Sequence, residues 1–547
     1  MQKTTLTLET LLPILPKVRK PSRYIGNELH SIHKDLSTVD LKVGLGFPDL
    51  YEIGMSNLGI QILYHVLNSR VDIACERFFA PNVDLEKELR ENNLPLFSLE
   101  SFTPLSSFDL LGFSLGHELG YTNLLTILDL SGIPIRRKDR NSSHPLVFAG
   151  GPSTINPSPL EEFVDFFVIG DGEEVVLEIA DTILKNRGKS REELFQKLGE
   201  IKGIYLPALQ NRTQKTFVKD LENSPYPTKP IVPFLSTVHD RGVVEIMRGC
   251  KRACKFCSAF CGYKPVRERS PEKIIYLAKE IIKNTGFQEL SLVSLSSSDY
   301  SQIEYVARTL AKEFENQRVN IALPSMRVDN LSVKLLKDIQ KVRPTSITVA
   351  PEAGSQRLRD LIRKDLTEDQ ILGGVESAFA EGITSIKLYF MIGLPTETEE
   401  DLLELADLVK KVKAIGSKYS HRSEVTAALS TFIPKPHTFF EREGMVQFEE
   451  IYAKHNLLKS LIRGRGLSLN WHDAKTSVLE GIISRGDQKL ADVIESAWRA
   501  GSRFESWGEH FHFELWEKAF EDNGIDYKKY LAEKSSNEEL TWKNIIL

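Results

Sequence analysis

The sequence predicts an α/β chain with two parallel-sheet domains in succession and a small helical domain after them. Three observations predict it. Short β-like runs alternate with helical patterns from about Leu41 to Leu184. A second alternation starts at Val243, and after about Glu441 the pattern turns helical and polar. At 547 residues the chain has room for about three or four domains, each with its own core.

In the first alternation the strand candidates are LKVGLGF, DIACERFF, DLLGFSL, PLVFAGG and VDFFVIG, with helical stretches beginning near Ser56, Asp84, Glu118 and Glu173. Continuous apolar strands between helices mean a parallel sheet covered on both faces. Such sheets bind ligands beyond the C-terminal ends of their strands. In the second alternation the candidates are VVEIM, ELSLVS, VNIAL, SITVA, SIKLYFM and VTAALST. Six strand–helix units point to a partial barrel, not a closed eight-fold one. The Pro-rich stretch NSPYPTKPIVPFLSTVHDR between the two alternations reads as a linker. The expected organisation is a lead segment 1–40, a first domain 41–215, a linker 216–240, a barrel 241–440 and a helical C-terminal domain 441–547. All five tryptophans fall in that last segment. They are expected to fill its core or seat it on the barrel; a stacking or dimer surface is the alternative.

Net charge is −5, so the composition carries no general attraction to nucleic acid or anionic membrane. No apolar run approaches the roughly 18 residues of a membrane helix. The N-terminal MQKTTLTLETLLPILPKVRK has Glu9 inside its apolar patch and no small-residue cleavage site, a poor signal peptide. The expected location is the cytoplasm.

The cysteines are Cys75, Cys250, Cys254, Cys257 and Cys261. An odd count with four of five in one tight cluster argues against a disulfide framework and for metal or catalytic thiols. Cys250, Cys254 and Cys257 form C-x3-C-x2-C just after a strand candidate. Three thiolates on one loop can hold three irons of a 4Fe–4S cluster and leave the fourth open, whereas a structural zinc site normally has four ligands. Cys261 as a fourth ligand is the zinc-ribbon alternative; otherwise it is a small buried residue, as is Cys75.

This arrangement, over roughly Val243 to Phe440, resembles the radical S-adenosylmethionine (radical SAM) superfamily. There the open iron is chelated by S-adenosylmethionine, and an electron from the cluster cleaves the sulfonium to a 5′-deoxyadenosyl radical. The resemblance implies further roles at strand ends: Ser297, Ser298 and Asp299 for the methionyl amino group, and Arg327 for the carboxylate. It also implies Glu352 and Ser355 for the ribose, and backbone near Ile392 and Gly393 for adenine. Ser, Glu and Gly after strands are also ordinary cap and turn residues. From Arg248 to Arg269 seven cations face Glu268 alone, a net +6. That excess would attract an acidic electron donor such as a flavodoxin or ferredoxin, or offset an anionic cluster; the plain reading is solvated side chains.

The first strand candidate runs into FPDLYEIGMSNLG, in which Asp49, Tyr51 and Gly54 match D-x-H-x-x-G with tyrosine in the histidine's place. FAGGPST (Gly150, Gly151) and VIGDGEE (Gly170, Gly172, Glu173) follow. In this order, ahead of the cysteine loop, they resemble the Rossmann-like cobalamin-binding domain of cobalamin-dependent radical SAM proteins. With KPSRYIGNELHS, VHDR and YKPVRERSPE, the likeness is to an uncharacterised branch of that group. The implied cofactors are a 4Fe–4S cluster, S-adenosylmethionine and cobalamin; the alternative is a vestigial, empty first domain. A phenol with an ordinary pKa of about 10 is a poor cobalt ligand, and no complete nicotinamide or P-loop fingerprint is present.

The implied activity is radical methylation or rearrangement of an unactivated carbon in an unidentified substrate. The alternatives are a non-catalytic iron–sulfur or cobalamin sensor and a methylthiotransferase acting on RNA or protein. The last would need three N-terminal cysteines where this chain has Cys75, and no cysteine follows Cys261. His117 and His437 sit at strand ends of the two domains, where they could face the active space; a lone histidine is more often structural.

Overall fold

The structure is a computed structural model that describes residues 6–324, 335 and 346–547. Its contacts divide the chain into two compact units. The first comprises Met1–Asp240, Ile483–Asp526 and Glu539–Leu547; the second comprises Arg241–Ile482 and Tyr527–Glu538.

The apolar runs of the first unit become β1 (Leu41–Phe47), β2 (Ile73–Phe79), β3 (Leu110–Ser114), β4 (Leu146–Gly150) and β5 (Phe166–Val168). Helices follow β1, β2 and β3, and two 3-10 turns follow β4; these five strands pair in parallel. A sixth strand, β6 (Ile204–Tyr205), closes the edge antiparallel to β5, giving the order β2-β1-β3-β4-β5-β6. The order reverses at β1, so the crevice between the loops after β1 and β3 is the topological switch point. Asn57 and Asn82 cap the helices Leu58–Asn68 and Val83–Glu91, the residue type that helix starts favour.

Among its described residues the second unit carries seven parallel strands in two sheets. One joins β8 (Gly242–Glu245), β11 (Glu289–Val293) and β12 (Asn320–Ala322). The other runs β13 (Ile347–Glu352), β14 (Ser385–Ile392), β15 (Glu424–Thr431) and β16 (Leu467–Trp471). A short antiparallel ribbon of β9 (Met247–Arg248) and β10 (Arg267–Glu268) brackets the cysteine loop.

Two expectations need correction. The stretch after Glu441 is not a separate helical domain. It contributes β16 to the second unit, and its helices Leu490–Arg499 and Phe513–Asp522 belong to the first. There Trp498 Nε1 donates to Thr126 Oγ1 (2.9 Å), and Thr122 Oγ1 donates to the buried Glu505. The chain's last strand, β17 (Ile545–Ile546), pairs in parallel with β7 (Thr213–Gln214). The tryptophans are split accordingly: Trp498, Trp516 and Trp542 are buried in the first unit, whereas Trp471 lies half-exposed on β16. The expected six-strand barrel also gains a seventh strand. LSLNW is short and mostly exposed, so it lacked the apolar run that marked the others.

Arg77 of β2 centres a buried ionic cluster. Arg77 donates from Nη2 to Glu28 Oε2 (2.7 Å) and from Nε to Glu100 Oε1 (2.6 Å), and Tyr51 donates its hydroxyl to Glu28 Oε1 (2.8 Å). Arg77→Met leaves two carboxylates buried without their cation. The expected loss is about 3–5 kcal/mol, read as a lower urea midpoint for the first unit.

In the second unit His455 is 4% exposed and stacks on Trp471 (centroids 5.1 Å apart). Burial lowers its pKa from 6.5 to about 4, with Asp473 opposing. Between those values the unfolded chain binds the proton and the folded chain does not. Stability is therefore complete above pH 6.5 and falls as the pH drops towards 4, by up to about 3 kcal/mol. His455→Gln flattens this part of the stability profile in thermal unfolding across that range.

Candidate functional site

Cys250, Cys254 and Cys257 lie half-buried on the loop after β9, where Cys257 N donates to Cys254 O (3.1 Å) and Arg252 N points at Cys250 Sγ (3.4 Å). Loops after three parallel strands hold this segment. After β11, Asp299 accepts a bidentate pair from Arg252 Nε (3.0 Å) and Nη2 (2.6 Å), and Lys251 Nζ donates to Asp299 O (2.9 Å). Past β13, Ile362 O accepts from Lys255 N (3.0 Å); past β15, Phe439 N donates to Lys255 O (3.1 Å). Phe256, between the second and third cysteines, packs on the apolar cluster of Ala353, Leu358, Ile362, Met391, Leu394, Phe432 and Phe440. One charged clamp, two backbone bonds and one aromatic anchor thus fix the loop.

Burial pushes the Cys254 thiol up to about 11, with Cys257, Glu352 and Cys250 adding to it and Lys364 opposing. Burial also raises Cys250. The resistance of Cys250 and Cys254 to ionising is relieved when a cation replaces their protons, and with Cys257 on the same loop the donor set suits an iron–sulfur cluster on three ligands. Cys261 is committed elsewhere: buried, it donates to His437 O (3.0 Å). This orientation counts against the zinc-ribbon alternative.

The seven cations of this segment are held by the protein itself. Arg248 pairs with Glu245, Lys251 with Glu268 and Arg252 with Asp299. Lys255 and Lys264 lie over the Phe440 and Phe260 rings. Arg267 donates to the Pro265 and Tyr263 carbonyls and Arg269 to that of Glu245. The local charge excess is knitted into the loop's frame.

The strand-end residues separate into those near the cysteine loop and those that serve the fold. Ser297–Asp299 forms a 3-10 turn. In it the Asp299 carboxylate is spent on Arg252, and fully buried Ser297 turns inward towards Leu292 O and Ser294 Oγ. Ser298 is half-buried in the same turn. Glu352 ends β13 with φ +66, a strained conformation for a non-glycine residue. It pairs with Lys364 (3.0 Å), and both groups act on the Cys254 thiol. Ser355 is buried, caps the helix Gln356–Leu361 and donates to Asp401 Oδ1 (2.5 Å), so its hydroxyl is a structural cap and not a free ribose contact. Ile392 is fully buried at the end of β14, and Gly393 N is taken by Glu397 Oε1 (2.9 Å). Arg327 lies outside the described residues.

In the first unit Asp49 reaches the switch point. It is 2% exposed and accepts at Oδ1 from Leu50 N (2.7 Å) and Trp507 Nε1 (2.9 Å). His117 Nε2 stands 4.0 Å from its Oδ2. Burial raises the Asp49 carboxyl, against these donors and the nearby imidazole. Tyr51 is different. It is 2% exposed, its ring packs edge-on against Phe79 and its hydroxyl is bound to Glu28. Burial, reinforced by the charge of Glu28, raises the phenol's pKa, so Tyr51 is a core residue and not a ligand-facing one. Gly54 answers to the same ring: a Cβ there would stand 2.2 Å from Phe79 Cε1. Gly150 ends β4 and Gly151 follows it, at the crest of the sheet. Gly170, with φ +106, lets the chain at Thr216 cross closely, since a Cβ would meet Thr216 O at 2.1 Å. Gly172 lies beside Leu63, and Glu173 is buried.

Sequence reasoning missed the Arg252–Asp299 clamp, the Glu352–Lys364 pair, the Phe256 anchor and the approach of Trp507 to Asp49. Their sequence separations of 47, 12 and 458 residues for the three polar contacts leave no local pattern to read.

Two sequence families match. The family of radical SAM protein N-terminal regions covers residues 59–207, and the radical SAM superfamily covers residues 244–409. An uncharacterized protein of Methanocaldococcus jannaschii is 27% identical over 507 residues, spanning 92% of this chain and 98% of its own length. The threonylcarbamoyladenosine tRNA methylthiotransferase MtaB of Aquifex aeolicus is 26% identical over 50% of this chain and 62% of its own. Among solved structures, the radical SAM methyltransferase TsrM of Kitasatospora setae, with cobalamin and a 4Fe–4S cluster bound, superposes with a TM-score of 0.54 at 13% identity. That superposition covers 88% of this chain and all of TsrM. The cobalamin-dependent radical enzyme OxsB, with aqua-cobalamin and S-adenosylmethionine bound, gives 0.53 at 14% identity over 89% of this chain and 72% of OxsB. At such identities the likeness is one of fold. Residues 244–409 are a radical SAM domain, the kind that works with a 4Fe–4S cluster and S-adenosylmethionine.

Proposed function

We propose that this protein is a radical SAM enzyme that carries one 4Fe–4S cluster on Cys250, Cys254 and Cys257 and uses cobalamin in its first unit to methylate or rearrange an unactivated carbon. The observation that carries the reading is the clamped loop: three half-buried thiols held by Arg252–Asp299 in a radical SAM domain, with Cys261 turned to His437. Bound there, the cluster supplies the electron that cleaves S-adenosylmethionine to methionine and a 5′-deoxyadenosyl radical, chemistry that no side chain can perform.

The chain's own residues do the positioning. Asp299 and Ile362 hold the loop, and Glu352 with Lys364 lines the approach to Cys254. Phe256 and its apolar neighbours would exclude water beside a cluster held on this loop, which matters because a reactive radical is lost to side reactions where solvent enters. Cobalamin in the first unit is supported by the switch-point crevice with its Gly150–Gly151 crest, and by the likeness of fold to TsrM and OxsB. A reductant must supply the electron. We take that reductant to be an acidic donor protein such as a flavodoxin or ferredoxin, although the loop's cations are engaged within the protein. The methylthiotransferase reading lacks its ligands: Cys75, alone outside the cysteine loop, is fully buried with its thiol raised well above its ordinary value.

Anaerobically reconstituted protein with S-adenosylmethionine and a low-potential reductant is expected to release 5′-deoxyadenosine; a loaded cluster that yields none, with or without candidate substrates, defeats the reading. Replacing any one of Cys250, Cys254 or Cys257 by serine is expected to lower bound iron and abolish that release. Cys261→Ser keeps both within about two-fold, as a thiol donating a weak hydrogen bond to a carbonyl would.

A further inference from the structure

The two faces of β14 differ in kind. Ile386, Leu388, Phe390 and Ile392 are fully buried on one, and Lys387 and Tyr389 alternate with them on the other, where Tyr389 is 40% exposed. Met391 continues this second face and belongs to the apolar cluster on which Phe256 of the cysteine loop packs. Lys387 and Tyr389 therefore stand on the side of the sheet that the cysteine loop occupies. Register extends that side across the neighbouring strands. Lys387 pairs with Thr426 and Thr426 with Ser468, while Tyr389 pairs with Ala428 and Ala428 with Asn470. Ser468 and Asn470 are exposed, and Ala428 is small. Bulky branched residues fill this side of a closed barrel; here it is a polar floor with room above it.

The floor carries an unspent charge. Lys387 is half-buried, and its Nζ lies 4.7 Å from the centroid of the Tyr389 ring. An aromatic face steadies an ammonium without neutralising it. Lys364, Lys435 and Lys454, half-buried in the same unit, each hold a carboxylate, those of Glu352, Glu480 and Glu397. Among the described residues none pairs with Lys387. The ammonium stands at the height of Tyr389, three residues before the end of β14, which is about 10 Å below the strand ends that hold the cysteine loop.

We infer that Lys387, steadied by Tyr389, binds the anionic end of the substrate, a carboxylate or a phosphate ester, and that the carbon to be attacked lies towards the strand ends about 10 Å away. Tyr389 and Asn470 offer hydrogen bonds to the substrate's remaining polar groups, and Ala428 leaves the space between them. The inference names a substrate class for the radical SAM reading above and rests on it.

The test is a ligand-observed nuclear magnetic resonance titration of the full, cluster-loaded chain without reductant. The chain is saturated with S-adenosylmethionine, so that the cofactor's own carboxylate is already seated. The probes are benzoate, phenyl phosphate and the neutral benzamide. One of the two anions is expected to bind about ten-fold or more tighter than benzamide, and which one it is separates a carboxylate substrate from a phosphate ester. Lys387→Gln removes the preference, Lys387→Arg keeps it, and Ala428→Phe, which fills the floor beside Tyr389, abolishes binding of both anions. Anions that bind no tighter than benzamide, or a preference that survives Lys387→Gln, overturn the site. Should Lys387→Gln fail to fold, as read by circular dichroism, Ala428→Phe decides in its place, and anion binding that persists in it overturns the site. Binding is read here without turnover, so this outcome is distinct from the release of 5′-deoxyadenosine, whose failure defeats the radical reading itself.

Discussion

The bidentate pair between Arg252 and Asp299 is the interaction on which the candidate site depends. A loop that brings three thiols together gains nothing locally: burial and mutual proximity push Cys250 and Cys254 away from the thiolate form a metal requires. Something outside the loop must hold it against that opposition. Arg252 sits between the first two cysteines, and its planar fork matches the Asp299 carboxylate with two bonds, which fixes direction as well as distance. Because Asp299 closes the turn after β11, the loop inherits its place from the parallel sheet. Lys251 adds a bond to the same turn. A lysine in place of Arg252 would keep the charge and lose the orientation.

Parallel pairing explains why the rest of the site lies where it does. Each crossover returns the chain to the same end of the sheet, so the segments after β11, β13 and β15 all reach the cysteine loop although 140 residues separate Asp299 from Phe439. The same constraint in the first unit brings the loops after β1 and β3 together at the switch point. There two devices share the work: the Arg77–Glu28–Glu100 cluster holds β2 near its C-terminal end, and Asp49, just past β1, is tied to Trp507.

What could be read in advance followed from local pattern. Continuous apolar runs such as LKVGLGF and SIKLYFM announced strands β1 and β14, and the C-x3-C-x2-C spacing announced the thiols; both signals lie within a few residues. The division of the C-terminal segment was not legible, because a helix such as Leu490–Arg499 has the same amphipathic pattern whichever sheet it covers. Likewise Ser355 after a strand reads equally well as a ligand contact or a helix cap. Only the distance to Asp401, 46 positions later, decides for the cap. Long-range polar pairs leave no periodicity, so Arg252–Asp299 and Asp49–Trp507 could not be read at all.

Tyr51 shows how a motif position can change its employment. The phenol lies in a layer where Glu28 needs a donor beyond Arg77 and where the Phe79 ring needs an edge to pack against. A histidine there would leave the glutamate short of a partner in a site almost closed to water, a penalty of about 1–3 kcal/mol for an unmet buried group. Once residue 51 is committed to the ionic cluster below, it cannot also face the crevice above. Asp49 keeps its place at the strand end because its partners, Leu50 N and Trp507, do not depend on residue 51. The carboxylate and the core are thus separable: residue 51 serves the ionic cluster, and Asp49 serves the tie to Trp507 at the strand end.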